Sequence, residues 1–169
     1  MRFGDDSLYR FGLRYGSLSL FYVMCVKEIF RLGKGYVFPR PVRCLHEGCG
    51  SSRIWGHGFV LRYLDGYAAP LWFRRWRCPD CGCVYTIRHA DYWPRHHAPI
   101  QTVVASLSHR ITHGFWDQTL EFTRQRQGHW MRALRGNIKT WLGMDVCVDL
   151  INGLHKLMAL LRVPVVRSV

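Results

Sequence analysis

Acidic side chains are scarce in this chain. Its 169 residues include 11 Asp and Glu against 24 Lys and Arg, which gives a formal net charge of +13. Such an excess of positive charge does not determine a fold, but it favours anionic partners, nucleic acid first and an anionic membrane surface second. The charge balance therefore directs the search for a partner towards polyanions.

Long apolar runs are also lacking. Residues 18–26 (LSLFYVMCV) form a short apolar run behind Arg10 and Arg14, but nine residues are too few to span a bilayer. No small-residue cleavage site follows this run, as a secretory signal would require. We therefore predict no membrane partner and a cytoplasmic, nucleoid-associated protein.

The cysteines do not have the arrangement of a secreted disulfide scaffold. There are seven, an odd number, and four of them form two close pairs. Together with the lack of a signal peptide, this pattern indicates reduced thiols inside the cell.

The two close pairs have the spacing of a metal site. Cys44 and Cys49 are separated by four residues, and Cys78 and Cys81 by two. Zinc prefers four soft ligands in a tetrahedron, and each close pair can wrap a tight turn around the ion. We predict one structural Zn²⁺ held by these four cysteines. Because four protein ligands leave no open coordination position, we predict that the metal is structural and not catalytic.

Other interpretations of the cysteines remain open. His46 can replace one ligand of the first pair, or the second pair can be a redox dithiol, although no βαβ pattern surrounds it. Cys83 is predicted to be a partly exposed strand residue. Cys25 and Cys147 are predicted to be small core residues on apolar helical faces.

Between and after the cysteine pairs the sequence favours strands. Residues 52–64 read as an extended segment, 70–77 as a second strand and 84–88 as a third. Asp65-Gly66 is a strong turn dipeptide between the first two.

Beyond residues 90–99, a loop with two prolines, the apolar period changes from two to about 3.6. A first helix has an apolar face of Ile100, Val103, Val104, Leu107 and Ile111, and ends at His113-Gly114. A short second helix is predicted over 116–122, and a fourth over 144–161. The third is predicted to begin at Thr123 or Gly128, to end at Gly143, and to have an apolar face made of Trp130, Met131, Leu134, Ile138, Trp141 and Leu142.

The predicted fold class is α+β, a small β zinc ribbon followed by a three- to four-helix helix-turn-helix bundle. The predicted parts are an N-terminal extension with a short helix over 17–32 (1–36), the zinc ribbon (37–89), a linker (90–99), the helix-turn-helix (100–143) and a C-terminal helix (144–169).

The third helix of a trihelical helix-turn-helix lies in the major groove of DNA. Here that helix is rich in Arg, Gln and His, the residue types that contact phosphates and base edges. Its predicted DNA-binding residues are Arg124, Gln125, Arg126, Gln127, His129, Arg132 and Arg135. On the second strand, Arg74, Arg75 and Arg77 are predicted to contact phosphates. The alternative for each residue is an ordinary solvated surface position.

The order of these motifs resembles the N-terminal DNA-binding module of bacterial insertion-sequence transposases and small transposition-associated proteins. The resemblance covers residues 39–143 and is carried by Cys44, Cys49, Cys78, Cys81, Gly82 and Trp93-Pro94. It implies binding of transposon-end or related DNA. The long first cysteine turn and residues 1–36 depart from the family's pattern, and the single helix predicted after Gly143 offers no place for the family's nuclease domain.

The leading hypothesis is a non-enzymatic zinc-ribbon DNA-binding protein that is associated with transposition, with double-stranded DNA as its partner and a protein of a transposition complex as a further one. Three alternatives remain. One is an assembly subunit that docks on a larger nucleic-acid-processing complex through an exposed Trp-rich patch. The others are a truncated transposase without its nuclease domain, and an RNA-binding ribbon.

Overall fold

The computed structural model of this protein describes residues 10–13, 17–143, 149–160 and 162–165. The chain is of the α+β class and divides into two units, Met1–Tyr92 and Trp93–Val169, which we call unit 1 and unit 2. The division falls inside the loop 90–99.

Unit 1 is built on a five-stranded sheet with the order β1-β2-β5-β4-β3. Strands β2 and β5 are parallel, and the other neighbouring strands are antiparallel. The strands are β1 (Arg10–Leu13), β2 (Ser17–Tyr22), β3 (Trp55–Arg62), β4 (Leu71–Arg77) and β5 (Val84–His89). Helix α1 (Val26–Leu32) and a 3-10 turn (Gly33–Gly35) follow β2. The three strands predicted around the cysteine pairs are thus confirmed.

The core of unit 1 lies along the middle of this sheet. Leu20 of β2 is paired with Ile87 of β5, and both side chains are fully buried. Tyr85 of β5 and Phe73 of β4 belong to the same apolar cluster. Fully burying a side chain of this size stabilises a fold by roughly 1.5–3 kcal/mol. Two of these four side chains, Tyr85 and Ile87, belong to β5, so unit 1 is organised around this strand.

The predicted helix over residues 17–32 is wrong in its first part. Ser17–Tyr22 form β2, and only Val26–Leu32 are helical. The physical reason is the parallel pairing of β2 with β5, which lies far away in the sequence. Residues 10–13 and 17–22 therefore belong to the sheet and are not part of a separate extension.

Unit 2 contains α2 (Ile100–His113), α3 (Arg124–Leu142) and α4 (Leu150–Ala159). Gly114 ends α2 with a φ of 78°, which confirms the predicted break. Thr123 caps α3, because its hydroxyl accepts a hydrogen bond from the Arg126 N–H at 3.2 Å. Gly143 ends α3 as predicted. Of the predicted fourth helix, residues 144–148 lie outside the described residues.

The short second helix predicted over 116–122 is wrong. In its place, the Asp117 carboxylate accepts hydrogen bonds from the N–H and the hydroxyl of Thr119, at 2.9 and 2.7 Å. Such an Asx turn competes with helix formation. The described segment between α2 and α3 is consequently non-helical, and the middle helix of a trihelical helix-turn-helix is missing from it.

The three helices of unit 2 share one apolar core. Its buried side chains include Val103 and Leu107 of α2, Trp130, Met131, Leu134 and Ile138 of α3, and Leu154 and Leu157 of α4. Trp141, predicted on the apolar face of α3, is instead 44% exposed, and the Arg162 guanidinium lies over its ring at 4.0 Å. Helices α3 and α4 cross closely, since a Cβ added to Gly153 would lie 2.5 Å from the Ile138 Cδ1.

Helix α3 has 19 residues, but one side of it is charged. Across the described ranges of the chain, no helix combines the length and the apolar character that crossing a membrane requires.

Candidate functional site

Four cysteine sulfurs meet at one end of the unit 1 sheet. Cys44 and Cys49 lie in the loop before β3, and Cys78 and Cys81 lie in the turn between β4 and β5. All four Sγ atoms are within 4.8 Å of one another. The Cys44 and Cys81 sulfurs are 3.5 Å apart, and those of Cys49 and Cys78 are 3.8 Å apart. Sulfurs that bind one ion tetrahedrally at about 2.3 Å are about 3.8 Å apart, so the four sulfurs fit a metal ion.

Two tight turns present these sulfurs. In the first, the Cys44 N–H donates to the Ser51 carbonyl and the Cys49 N–H donates to the His46 carbonyl. In the second, the Gly82 N–H donates to the Cys78 carbonyl at 3.0 Å. Gly82 has a φ of 74°, a conformation that glycine adopts without strain. The glycine after the second pair is therefore required by the backbone.

The thiols of Cys78 and Cys81 have pKa values that are shifted in opposite directions. Burial opposes the ionisation of Cys78, but hydrogen bonds from the Cys81 backbone and the neighbouring thiols outweigh it and lower the pKa of Cys78 to about 7. Desolvation, with hydrogen bonds to the neighbouring sulfurs, raises the pKa of Cys81 to about 12. A cation among the sulfurs would favour the thiolate form of the cysteines that bind it.

An ion pair joins the two cysteine turns. Asp80, inside the second turn, pairs with the guanidinium of Arg53 and accepts a hydrogen bond from the Ser51 hydroxyl. The Arg53 Nε donates to the same carboxylate at 3.2 Å. Sequence reasoning missed this contact, because Ser51 and Arg53 follow the first cysteine pair without belonging to any metal-site pattern.

A tyrosine lies directly behind the first cysteine turn. The hydroxyl of Tyr85 is 2.8 Å from the Cys44 sulfur, and the Leu45 N–H donates to it at 3.0 Å. Burial raises the pKa of Tyr85 above its usual range, so the phenol keeps its proton. Cys83, predicted to be partly exposed, is 1% exposed and lies in the same apolar cluster. The prediction for Cys83 is wrong because residues 83, 85 and 87 alternate onto the buried face of the sheet.

The remaining cysteine predictions have mixed outcomes. His46 is exposed and is not among the four ligand groups that meet. Cys25 is exposed at the start of α1, so the prediction of a core residue is wrong. Cys147 lies outside the described residues.

The three predicted strand arginines are placed in different environments. The guanidinium carbon of Arg74 lies 4.7 Å from the ring centre of Phe59 and 5.0 Å from that of Trp76. Arg75 is half-buried, and its Nε finds no hydrogen-bond partner among the described residues. Of the three only Arg77 is exposed, so they do not form a shared basic surface.

Further cations lie on aromatic rings beside Arg74. The ammonium of Lys34 is 4.2 Å from the centre of Trp72, and Arg40 lies over Trp76 at 5.9 Å. Cation–aromatic contacts of this kind stabilise by about 0.5–1 kcal/mol at exposed sites. These cations pack against rings of their own unit.

Most of the residues predicted on α3 share its exposed side. Its exposed members are Arg124, Gln125, His129, Arg132 and Arg135, together with Lys139, which is not among the predicted DNA-binding residues. A residue seven positions after Arg132 lies on the same side of a helix, so the helical period was the signal that identifies Lys139.

Gln127 is the exception, and its assignment to a DNA-facing surface is corrected. The side chain is 2% exposed. Its amide accepts a hydrogen bond from the Ser106 hydroxyl at 2.8 Å and donates one to the Phe122 carbonyl at 2.9 Å. Gln127 precedes Trp130, Leu134 and Ile138 at helical spacing, which places it on the buried side.

The beginning of α3 carries several cations close together. Arg126 is half-buried, with its guanidinium 4.8 Å from the Phe122 ring centre and 5.2 Å from that of Trp130. Burial, together with electrostatic repulsion from the nearby Arg126, His129 and His97, lowers the pKa of His96 to about 4. This part of unit 2 therefore resists taking up a further proton.

Comparison with known proteins identifies no relative. No family model matches the sequence, and neither the curated proteins nor the solved structures include a significant match to it.

Proposed function

We propose that this protein is a non-enzymatic DNA-binding protein in which one structural Zn²⁺ stabilises unit 1 and helix α3 of unit 2 contacts duplex DNA. The charge distribution of α3 carries the proposal. The helix has five Lys and Arg and no acidic residue, and its opposite side is buried in the core of unit 2. A helix that exposes only positive and neutral side chains is suited to phosphates.

The cations of α3 are concentrated on a narrow strip, which we call the basic strip. With 3.6 residues per turn, Arg124, Arg132, Arg135 and Lys139 fall within about 80° around the helix axis and span about 22 Å along it. The major groove of B-DNA admits one α-helix. Since the expected middle helix is missing, we propose that α2 and α4 support α3 as a single presented helix.

Two glycines on the exposed side of α3 support a close approach by DNA. A Cβ added to Gly128 or Gly136 would meet no described atom within 4 Å. A glycine inside a helix costs about 1 kcal/mol relative to alanine, and packing within unit 2 does not require either one. Because glycine has no side chain, the helix surface at these two positions beside Arg132 is flat and leaves room for a sugar-phosphate backbone.

The four thiolates support zinc as the ion. Zinc accepts four cysteine ligands in a closed tetrahedron without redox chemistry, and such sites are structural. The ion would hold the two cysteine turns together and supply no catalytic step. The resemblance to transposase modules further supports mobile-element ends or regulatory DNA as the target.

The alternative of an assembly subunit receives no support from the tryptophans. All seven lie in the described part of the chain, and two of them are exposed, Trp55 of unit 1 by 58% and Trp141 of unit 2 by 44%. Neither unit thus presents the Trp-rich patch that this alternative predicts.

Binding of a labelled duplex at several salt concentrations tests the proposal. With four phosphate contacts, the logarithm of the affinity should fall with the logarithm of the salt concentration with a slope of about −3.6, or on the order of a hundredfold between roughly 50 and 200 mM. Single-stranded DNA and RNA of the same length serve as competitors. An affinity that does not depend on salt, or a preference for RNA, would refute the proposal.

Matched variants locate the contact. Arg132→Ala should reduce the slope by about 0.9, because it removes one phosphate contact. Lys156→Ala is the control, since Lys156 is also an exposed helical cation of unit 2, but on α4. Equal losses in the two variants would show that the protein attracts DNA through its net charge and not through the basic strip.

A further inference from the structure

The side-chain hydroxyl of Tyr85 makes hydrogen bonds that are not part of the backbone pairing of any turn or strand. The side chain is fully buried, and its oxygen lies between the Cys44 sulfur and the Leu45 N–H. A phenol offers one proton and two lone pairs. Two of these three capacities are taken up by Cys44 and Leu45, which holds the hydroxyl in one position.

The direction of each hydrogen bond follows from the chemistry of its partners. The backbone N–H of Leu45 can only donate, so the Tyr85 oxygen accepts from it. A cysteine sulfur that binds a metal has lost its proton, so Cys44 can only accept. The Tyr85 proton therefore points at the Cys44 sulfur.

The position of Tyr85 in the sheet explains why such a contact matters. Cys44 lies in a loop, in the longer of the two cysteine turns. Tyr85 lies on β5, which is paired on both sides, with β2 and with β4. The phenol thus connects a cysteine of the loop to a strand that is paired on both sides.

We infer that Tyr85 is a positioning residue of the metal centre, which orients Cys44 and fixes the first cysteine turn by donating a hydrogen bond to the sulfur. The inference rests on the metal site of the proposed function. Partners of metal ligands outside the coordination sphere typically change metal affinity by 10- to 100-fold when they are removed. The same hydrogen bond withdraws electron density from the sulfur.

The test is Tyr85→Phe in the full chain, which removes one oxygen and keeps the ring. Competition with a chromophoric chelator should show Zn²⁺ affinity about 10- to 100-fold below that of the wild type. In the Co²⁺-substituted protein, the sulfur-to-cobalt charge-transfer band should shift to longer wavelength, because a sulfur without the hydrogen bond gives up electron density more easily. Tyr92→Phe is the matched control, a half-buried tyrosine of unit 1 whose ring packs on His89.

The outcomes separate this inference from the proposed function. A wild-type chain that binds neither Zn²⁺ nor Co²⁺ refutes the metal site itself. A wild type that binds, with a Tyr85→Phe variant of equal affinity and identical spectrum, overturns the role of Tyr85 alone. Weaker binding with an unchanged cobalt spectrum also overturns it, because the hydroxyl would then support the fold and not the sulfur.

Discussion

Unit 1 joins segments that are far apart in the sequence, whereas unit 2 packs helices that follow one another. In unit 1, Leu18 is paired with Tyr85, and the metal ligands lie on either side of β3 and β4. In unit 2, α2, α3 and α4 share an apolar core in which a Ser106–Gln127 hydrogen bond joins α2 to α3. From this difference we expect a metal ion at the four cysteines to stabilise unit 1 and to leave unit 2 unaffected.

Removal of the metal should cause the largest difference in stability between unit 1 and unit 2. Zinc binding contributes on the order of 10 kcal/mol to small metal-dependent domains, which is comparable to the whole stability of a typical domain, roughly 5–15 kcal/mol. With chelator, or in Cys44→Ser, we expect rapid hydrogen exchange throughout β3, β4 and β5 and unchanged protection in α2 and α3. Hydrogen-exchange mass spectrometry resolves these segments.

Cys25→Ser is the control for that measurement, because Cys25 is exposed and outside the sulfur cluster. It should leave every segment as protected as in the wild type. Equal loss of protection in both units after chelation would show that they do not fold independently.

Gly153→Ala should have an intermediate effect, confined to unit 2. The added Cβ would overlap the buried side chain of Ile138, and overpacking of this kind costs about 1–3 kcal/mol. Gly136→Ala is the matched control. It adds the same methyl group to a helix where nothing lies within 4 Å, so it should stabilise unit 2 by about 1 kcal/mol. Thermal unfolding of the two variants gives the sign of each change.

Zinc affinity should be unchanged in both glycine variants, because neither residue belongs to unit 1. A lower zinc affinity in Gly153→Ala would show that the metal centre of unit 1 depends on packing within unit 2.

At neutral pH the smallest effect should come from His96, and it should grow only as the pH is lowered. The pKa of His96 is about 4 in the folded chain against an ordinary value of 6.5. Below pH 6.5 the His96 imidazole takes up a proton in the unfolded chain but not in folded unit 2. The free energy of unfolding of unit 2 should therefore fall as the pH decreases from 6.5 to about 4, and it should not depend on His96 above that range. Denaturant unfolding of unit 2 at several pH values measures this dependence.

His96→Asn should flatten the dependence, because it removes the titrating group. A dependence that is equally steep in the variant would assign it to another residue.

The parts of the fold that the sequence predicts are those with local patterns. The close spacing of Cys78 and Cys81, the turn at Asp65-Gly66 and the apolar period of α2 are visible within a few residues. β2 was missed because its stabilising partner, β5, is distant in sequence, and a short apolar segment fits a helix as well as a strand.

The candidate site was predictable for its ligands and less so for what surrounds them. The cysteine ligands can be recognised from the spacing of the two pairs in the sequence. The contacts of Tyr85 and Asp80 cannot, because they form only when the two cysteine turns come together in the fold. Gln127 was misassigned because its residue type suggested DNA, although its spacing from Trp130 and Leu134 indicated burial. Position in the helical period was the better guide.

The parallel pairing of β2 with β5 also has a consequence for the newly made chain. Synthesis produces β2 early, and its fully buried Leu20 has no strand β5 to cover it until Val84–His89 have left the ribosome. Cys81, the last of the four cysteines, is made just before β5, so we expect capture of an ion and insertion of this strand to be consecutive events. We therefore expect that metal shortage during growth lowers the soluble yield of nascent chains more than it affects finished molecules, which pulse-labelling in metal-depleted cells would measure.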